Sequence, residues 1–591
     1  MAVSADVPEP LLLARRTLEE VDGVQVVRDW HRGPEGWRLR VNLTPGDLGD
    51  VFPIAETTPW YVVCDPGYPG GQVSISPDKD GGISGTFPHQ IPNYDLGSRP
   101  YRSGKICIAT DSENNLRSSR DAEPTTGDDR LAWHLLRALE WVRRASKGTL
   151  LPDGDWFELP VYALDNGPIV FHEGPATLDV WRRLDSVIGF ADIVELPMGV
   201  TAVKAFRGLD SAELVEPAWG DAIFGRAKPR ALWIRLPDVV VTPPYQAPLT
   251  FGELRAAAAS QGIDLDQLLH QGTASLRDRQ EHLLLIGFPV PERMGEPARQ
   301  MHWQPVALPR LEGDAGRRRG PVVDLWPTTR KGTLRDEARV NWKTAENWHP
   351  DQLATRGRLE RGLTDKRVVV LGAGALGSVV AELLVRAGVT DITIVDHDAL
   401  AAGNLVRHTL TMADLNTNKA KALVRRLRSI SPSVRAFAVE ARFPGQASDE
   451  HALAADLVVD TTAEHAVLEA MPTLAWANDP TFVSLAISMH ARRLFAFISK
   501  GTPFDLGAFD AAYEPFALEE LERDEERPWE GVGCWHPVFP ARADEVAIMA
   551  ATAIGMLNDI WPVAPGPGNL QMFERQVDQA GRFAGVCRIL P

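Results

Sequence analysis

The chain has 591 residues, more than one hydrophobic core can hold, and its 44% hydrophobic and 24% charged content is ordinary for globular protein. A net charge of −17 argues against nucleic acid or an anionic membrane as the main partner. No window approaches the roughly 20 apolar residues of a membrane span and no basic-then-apolar signal opens the chain, so a cytoplasmic protein is expected.

The cysteines are few and none of them forms a C-x-x-C pair, so neither a structural zinc site nor a disulfide framework is expected. They are better candidates for thiol chemistry. Cys64, at a strand end among apolar residues, and Cys587, after an apolar C-terminal strand, are expected to be buried. Cys107 and Cys534 are the candidates for reaction.

The N-terminal part predicts an α+β unit. A helix is expected at 11–21, followed by four strands at 24–28, 37–43, 60–63 and 73–76. A long loop rich in glycine and proline follows at 77–103. A second helix has one apolar face, which consists of Leu131, Leu135, Leu139 and Val142.

Cys107 follows that loop in the sequence Gly-Lys-Ile-Cys-Ile. This order of elements, with a Tyr-Pro pair before the loop, resembles a ubiquitin-conjugating enzyme, in which such a cysteine carries an acyl group as a thioester and passes it to an amine. The His-Pro-Asn usual before the cysteine is missing, which leaves His89, Asn93 and Ser103 as candidate oxyanion donors. Without the resemblance, a cysteine between isoleucines predicts a buried strand thiol.

Residues 161–335 predict strands at 231–234 and 282–286 and helices at 178–187 and 251–259, with no catalytic constellation. We interpret this region as a connecting domain that sets the distance between two active sites.

A nucleotide-binding βαβ unit is predicted next. The β-branched strand 367–371 runs into Gly372, Gly374 and Gly377, and a helix follows at 378–387. The glycines let the backbone turn tightly and approach a phosphate at the helix N-terminus. The next strand, 391–395, ends in Asp396, where an acid can bind a ribose hydroxyl.

Polar residues after Asp396 narrow the chemistry. They are Asp398, Asn404, Arg407 and Lys419. A dinucleotide oxidoreductase has no use for this Asn, Arg and Lys, whereas cleavage of ATP between its α and β phosphates needs cations on the phosphates and carboxylates for Mg²⁺. The series resembles the ThiF/MoeB superfamily, which includes ubiquitin-activating enzymes.

The magnesium ligand is left open among three acids. The resemblance continues to Asp460, at the end of another strand, but Ala463-Glu464 replaces the Asp-Asn pair usual in the family. Asp460, Asp398 or Glu464 is left to hold the metal, and Asp460 could also be a plain strand-end residue. Relatives often place an arginine from the preceding segment on the ATP phosphates; the candidates are Arg339, Arg356, Arg358 and Arg361.

Cys534 lies between an acidic stretch, 518–530, which is expected to be mobile, and a helix from 544. A cysteine after glycines and before a helix N-terminus is placed for thiolate chemistry and for access by a bulky acyl group. The segment resembles the catalytic-cysteine segment of activating enzymes. The alternatives are a loop cysteine packed on Trp535, with His536 as an assisting or a structural residue.

The whole chain resembles the fused activating–conjugating enzymes of bacterial anti-phage operons, of the CBASS or a related ubiquitin-like type. The predicted fold class is α/β multidomain: a ubiquitin-conjugating-like α+β domain (1–160), a connecting α+β domain (161–335) and a Rossmann-like ThiF/MoeB adenylation domain with a mainly parallel sheet (336–591). The resemblance implies ATP and Mg²⁺ as cofactors, a homodimer, a target lysine and a carrier protein with a C-terminal glycine. That carrier is a cGAS-like nucleotidyltransferase or a ubiquitin-like protein.

The implied reaction is a relay. The carrier carboxylate attacks ATP to give an acyl-adenylate, Cys534 displaces AMP, and transthiolation moves the carrier to Cys107 for conjugation. The alternatives are an adenylyltransferase that activates a sulfur carrier without conjugation, an NAD-dependent oxidoreductase, and a non-catalytic scaffold with an inactive nucleotide fold.

Overall fold

The computed structural model describes residues 7–108, 123–162, 167–197, 199–225, 228–311, 324–523, 540–561 and 569–590. The chain contains two compact units. Unit 1 comprises Met1–Ile193, Gly199–Glu216 and Ala227–Glu346, and unit 2 comprises Val194–Met198, Pro217–Arg226 and Asn347–Pro591. Within the described ranges, no helix is both long and apolar enough to cross a bilayer.

The first part of unit 1 is an antiparallel four-stranded sheet in the order β1-β2-β3-β4, with two α-helices among its described residues. The strands are β1 (Val24–Gly33), β2 (Gly36–Leu43), β3 (Thr58–Cys64) and β4 (Val73–Pro77); the helices are α1 (Glu9–Thr17) and α2 (Gly127–Lys147). The apolar face predicted for α2 is buried, with Leu131, Leu135 and Val142 fully covered. Between β4 and Cys107 the chain forms only isolated bridges, which agrees with the predicted loop.

The rest of unit 1 is a mixed eight-stranded sheet in the order β11-β10-β9-β6-β7-β5-β12, with β8 paired to β7. Its strands are β5 (Ile169–Phe171), β6 (Ile188–Glu195), β7 (Thr201–Gly208), β8 (Glu213–Val215), β9 (Lys228–Arg235), β10 (His282–Val290), β11 (Gln300–Leu308) and β12 (Ala345–Asn347). Its helices are α3 (Pro175–Arg183), α4 (Phe251–Ala259), α5 (Leu265–Thr273) and α6 (Trp326–Lys331). The helix predicted at 178–187 ends early, because Leu184 is already extended.

Unit 2 is built on an eight-stranded sheet in the order β15-β14-β13-β16-β17-β18-β19-β20. Its strands are β13 (Arg367–Leu371), β14 (Asp391–Val395), β15 (Arg435–Val439), β16 (Leu457–Asp460), β17 (Thr481–Ile487), β18 (Arg493–Lys500), β19 (Asn569–Val577) and β20 (Phe583–Leu590). Its helices are α7 (Pro350–Leu353), α8 (Arg361–Thr364), α9 (Ala375–Arg386), α10 (Lys419–Arg428), α11 (Gln446–Ala452), α12 (His465–Ala470), α13 (Leu506–Arg523) and α14 (Ala543–Ile560).

The first five strands of this sheet, from β15 to β17, are parallel, and β18, β19 and β20 are antiparallel. This agrees with the predicted Rossmann-like sheet. The strand order reverses between β13 and β16, and the carboxyl ends of the strands at such a switch point are where ligands bind in open α/β sheets.

Two expectations are wrong. The first part of the acidic stretch 518–530, which was expected to be mobile, forms the end of α13, where Glu519 and Glu520 pair with the buried Arg493 at 2.9 and 3.0 Å. These ion pairs let acidic side chains pack against a sheet. Cys587 is exposed rather than buried, because it lies on the edge strand β20.

Candidate functional site

The glycine loop between β13 and α9 is a tight backbone turn. Gly372 has a φ of +86°, which favours glycine, and its N–H donates to the carbonyl of Val395 at 2.9 Å. A Cβ on Gly377 would lie 2.0 Å from the carbonyl oxygen of Gly372, whereas one on Gly374 would meet open space. A side chain at Gly377 would therefore clash with the backbone of the loop, whereas Gly374 borders open space.

The carboxylate of Asp396 is fixed against this loop. One oxygen accepts the N–H of Ala373 at 2.6 Å and the other the N–H of Asp398 at 2.8 Å. His408, which we did not predict, places its Nε2 2.6 Å from the carbonyl oxygen of Ala373, and burial lowers its pKa. The sequence feature that could have indicated His408 is its position directly after Arg407.

Lys419 and Asp398 form an ion pair at the start of α10. Lys419 Nζ lies 2.9 Å from Asp398 Oδ2, and this hydrogen bond lowers the pKa of Asp398. The side chain of Asn404 instead accepts the N–H of Ala401 at 3.0 Å, which stabilises its own turn. Arg407 lines a separate cavity of about 260 Å³ beside α9.

Asp460 ends β16 next to Leu371, the last residue of β13. It is buried, and its two oxygens accept hydroxyl hydrogens from Thr462 at 2.7 Å and Ser484 at 2.9 Å. Burial raises its pKa. With Glu464 it lines a cavity of about 490 Å³ beyond the strand ends.

The predicted magnesium ligands differ in accessibility. The ligand atoms of Asp396, His397 and Asp398 lie within 4.8 Å of one another, and the Asp398 side chain is 54% exposed. Bound to a nucleotide, Mg²⁺ takes one or two carboxylates together with phosphate oxygens. Asp398 also pairs with Lys419, but it is the acid that lies in this exposed cluster. Asp460 is buried with both oxygens engaged by hydroxyl groups, and Glu464 pairs with Arg442 at 3.0 Å.

Of the candidate arginines in unit 2, Arg358 and Arg361 both pair with Asp351. Cys534 and His536 lie outside the described residues.

Cys107 is exposed, so its interpretation as a buried strand thiol is wrong. Its N–H donates to the carbonyl of His89 at 2.7 Å, and Arg137 donates to the carbonyl of Ile108. Cys64 is buried as expected, and this burial raises the pKa of its thiol to about 12.

The three candidate oxyanion donors have different surroundings. Both amide hydrogens of Asn93 are donated to backbone carbonyls, those of Ile83 at 2.7 Å and Gly85 at 2.9 Å. Ser103 donates its hydroxyl to the carbonyl of Pro92 at 2.5 Å. The ring of His89 lies with Nδ1 2.9 Å from a carboxylate oxygen of Glu158, a partner that nothing in the sequence indicates.

Comparisons with known proteins show which family the chain belongs to. Residues 148–348 match the family model "Cap2 central linker domain", and residues 352–557 match the ThiF family. The chain is 34% identical over 525 residues to the ATP-dependent ubiquitin transferase-like protein Cap2 of Enterobacter hormaechei, covering 86% of each chain. It is 25% identical to the sulfur carrier protein ThiS adenylyltransferase of Escherichia coli over 40% of this chain and 90% of that protein.

Among solved structures, E. coli MccB with ATP is 14% identical, with a TM-score of 0.28 over 39% of this chain and 64% of that chain. This similarity is too low to support a conclusion about this chain.

Proposed function

Because the chain belongs to the family of ATP-dependent ubiquitin transferase-like Cap2 proteins and contains a ThiF domain, we propose that it activates the C-terminal carboxylate of a carrier protein with ATP and conjugates that carrier to a target lysine. The observation that carries the proposal is the convergence of the glycine loop, Asp396 and the Asp398–Lys419 pair at the switch point of the unit 2 sheet.

In the proposed activation step, each of these groups has a role. The N–H groups at the start of α9 and the open space at Gly374 accommodate the phosphates, and Asp396 takes a ribose hydroxyl. Lys419 offsets phosphate charge as the carrier carboxylate attacks the α-phosphate and pyrophosphate leaves. Mg²⁺ held by Asp398 would neutralise charge on the phosphates. Asp460, the second predicted ligand, is buried with both oxygens engaged by hydroxyl groups, so we do not assign it to the metal. Asn404 and Arg407 are the other predicted nucleotide-binding residues, but Asn404 stabilises its own turn and Arg407 lines a separate cavity, so we give neither a role in this step.

The transfer steps use two thiols. Cys534 attacks the acyl-adenylate carbonyl and AMP leaves, giving a thioester. The Cys107 thiolate then attacks that thioester, and the sulfur of Cys534 leaves. The exposure of Cys107 supports its role as acceptor, because a buried thiol could not meet a protein carrier.

The remaining assignments are also proposals. We infer a homodimer in the cytoplasm, a role in anti-phage defence, and the three domains 1–160, 161–335 and 336–591, of which the first has a ubiquitin-conjugating-like fold. The carrier is a cGAS-like nucleotidyltransferase or a ubiquitin-like protein that ends in glycine.

The test combines the purified chain, Mg-ATP and the glycine-ending proteins encoded beside its gene on non-reducing gels. The parent, Cys534→Ala and Cys107→Ala are compared, with Cys64→Ala as the matched control. We expect a DTT-labile adduct in the parent, in Cys107→Ala and in the control, and none in Cys534→Ala.

Other patterns would contradict parts of the proposal. Loading of Cys107 in Cys534→Ala would make Cys534 structural, with transfer directly from the adenylate. AMP production without an adduct in any variant would instead support an adenylyltransferase that does not conjugate, the activity in the name of the E. coli ThiS relative.

A further inference from the structure

His89 and Cys107 are neighbours across a short antiparallel pairing. Cys107 donates its N–H to the carbonyl of His89 at 2.7 Å, and the adjacent Gln90 and Ile106 form an antiparallel bridge. Neighbouring backbones joined by such hydrogen bonds lie about 4.8 Å apart. The imidazole is therefore within side-chain reach of an acyl group on Cys107.

Glu158 is paired with one nitrogen of the His89 imidazole. Its Oε2 lies 2.9 Å from His89 Nδ1, and its carboxylate also accepts the backbone N–H of His89 at 3.2 Å. The backbone carbonyl of Glu158 accepts the hydroxyl of Tyr245. A carboxylate on Nδ1 keeps a proton there, so in the neutral ring the lone pair is on Nε2. Within the described part of the chain, Nε2 has no hydrogen-bond partner, and the side chain is 40% exposed.

The backbone of His89 has a strained conformation. Its φ is +55°, in the left-handed region that residues other than glycine rarely adopt. Such strain persists where the surroundings hold it, and it concentrates at functional sites. Here the two contacts of Glu158 hold it.

We infer that His89 is the base of the conjugation step and that Glu158 is its positioning residue. This inference rests on the proposed thioester at Cys107. The target amine attacks the thioester carbonyl, the C–N bond forms, and the C–S bond breaks with the electron pair left on the Cys107 sulfur. Before this attack the lysine ammonium gives one proton to His89 Nε2, and the resulting imidazolium is paired with Glu158 until it releases the proton to water. The second amine proton is taken up by the Cys107 sulfur, which leaves as the thiol.

Charged groups around His89 shift its pKa in both directions, with a net rise. The hydrogen bond from Glu158 raises the pKa of His89, burial opposes this, and the nearby Arg144 lowers and Asp155 raises the pKa. General bases are most effective when their pKa lies near the working pH.

The test uses the full chain with its Cys107 thioester preformed, and compares discharge to free lysine with discharge to hydroxylamine, which is already unprotonated at neutral pH. His89→Asn is the main variant, because asparagine tolerates a positive φ and can donate to an oxyanion but cannot act as a base. We expect normal loading of Cys107, a loss of lysine discharge of about 10²-fold, and near-parental discharge to hydroxylamine.

Unchanged lysine discharge, or an equal loss with both nucleophiles, would overturn the inference. Absence of the Cys107 thioester in the parent would instead refute the proposed function. If the His89→Asn chain does not form the Cys107 thioester, the Glu158→Gln chain provides the test. This substitution removes the carboxylate charge that raises the pKa of His89. In Glu158→Gln, the midpoint of the curve of lysine-discharge rate against pH should move to lower pH. An unchanged midpoint would overturn the inference. Glu140→Gln, an exposed carboxylate on α2, should leave the midpoint in place.

Discussion

Two glycines of the glycine loop between β13 and α9 have opposite steric surroundings, and alanine substitutions separate their roles. In Gly377→Ala the new Cβ would lie 2.0 Å from the Gly372 carbonyl and 2.4 Å from Thr461 Oγ1, so we expect the free energy of unfolding to fall by about 1–3 kcal/mol. In Gly374→Ala the methyl enters open space, so stability should hold while Mg-ATP binding weakens. Urea unfolding and carrier-dependent pyrophosphate exchange measure the two effects. Equal destabilisation by both variants would contradict this division.

Glu173 makes the stability of unit 1 depend on pH. It is fully buried, its Oε1 accepts the indole N–H groups of Trp181 and Trp303, and burial raises its pKa from 4.5 to about 7. The folded chain thus keeps a proton that the unfolded chain releases, so this contribution to stability falls as pH rises from 4.5 to 7.

Glu173→Gln keeps an acceptor oxygen and cannot ionise. Relative to the parent it should gain about 3 kcal/mol between pH 5 and pH 8 in urea unfolding followed by tryptophan fluorescence. Burial lowers the pKa of His302 to about 4, so the contribution of His302 to stability rises with pH. That contribution is the same in the parent and in Glu173→Gln, and it cancels from the difference between them. Glu337→Gln, with a side chain 80% exposed, is the control and should show no such gain. A pH-independent difference for Glu173→Gln would refute the assignment.

At the scale of elements, Gly220 and Asp221 of unit 2 contact the start of the edge strand β15. Asp221 accepts the N–H of Ala436 at 3.0 Å and lies 2.9 Å from Arg428 Nε, and its own N–H donates to the carbonyl of Val434 at 3.0 Å. An edge strand left open would present unpaired N–H groups to other chains.

Asp221→Ala should therefore expose the Ala436 amide. Hydrogen bonds to a charged acceptor contribute about 1.5–3 kcal/mol, so hydrogen exchange at Ala436 should become at least about 10-fold faster, while amides inside β14 keep their rates. Asp365→Ala removes the same charge from a side chain that is 72% exposed in unit 2 and should leave Ala436 unchanged. Uniform acceleration across the sheet would mean that unit 2 as a whole is destabilised.

Elements with strong local signals were predictable from sequence, and contacts between distant segments were not. The bounds of β13, β14 and α4 match the predicted ones, because apolar runs end at glycine, acid or cap residues. The partners His89 and Glu158 are 69 residues apart, and Asp221 and Ala436 are 215 apart, with no periodicity that links them. The exposure of Cys587 followed from the edge position of β20, which depends on strand order and not on local sequence.

At the scale of the whole molecule, the proposed relay has both thiols in one chain. A tethered thiol meets its partner at an effective concentration of about millimolar, provided that the chain lets the two engage. The rate constant for loading of Cys107 from Cys534 should therefore be independent of enzyme concentration. In a chase after rapid formation of the first thioester, micromolar Cys534→Ala chain added as a competing acceptor should capture only a minor share of the carrier. If the half-time of loading shortens in proportion to enzyme concentration, or the competitor captures the carrier in proportion to its amount, then the transfer occurs by free encounter, and the covalent linkage of the domains contributes nothing to that step.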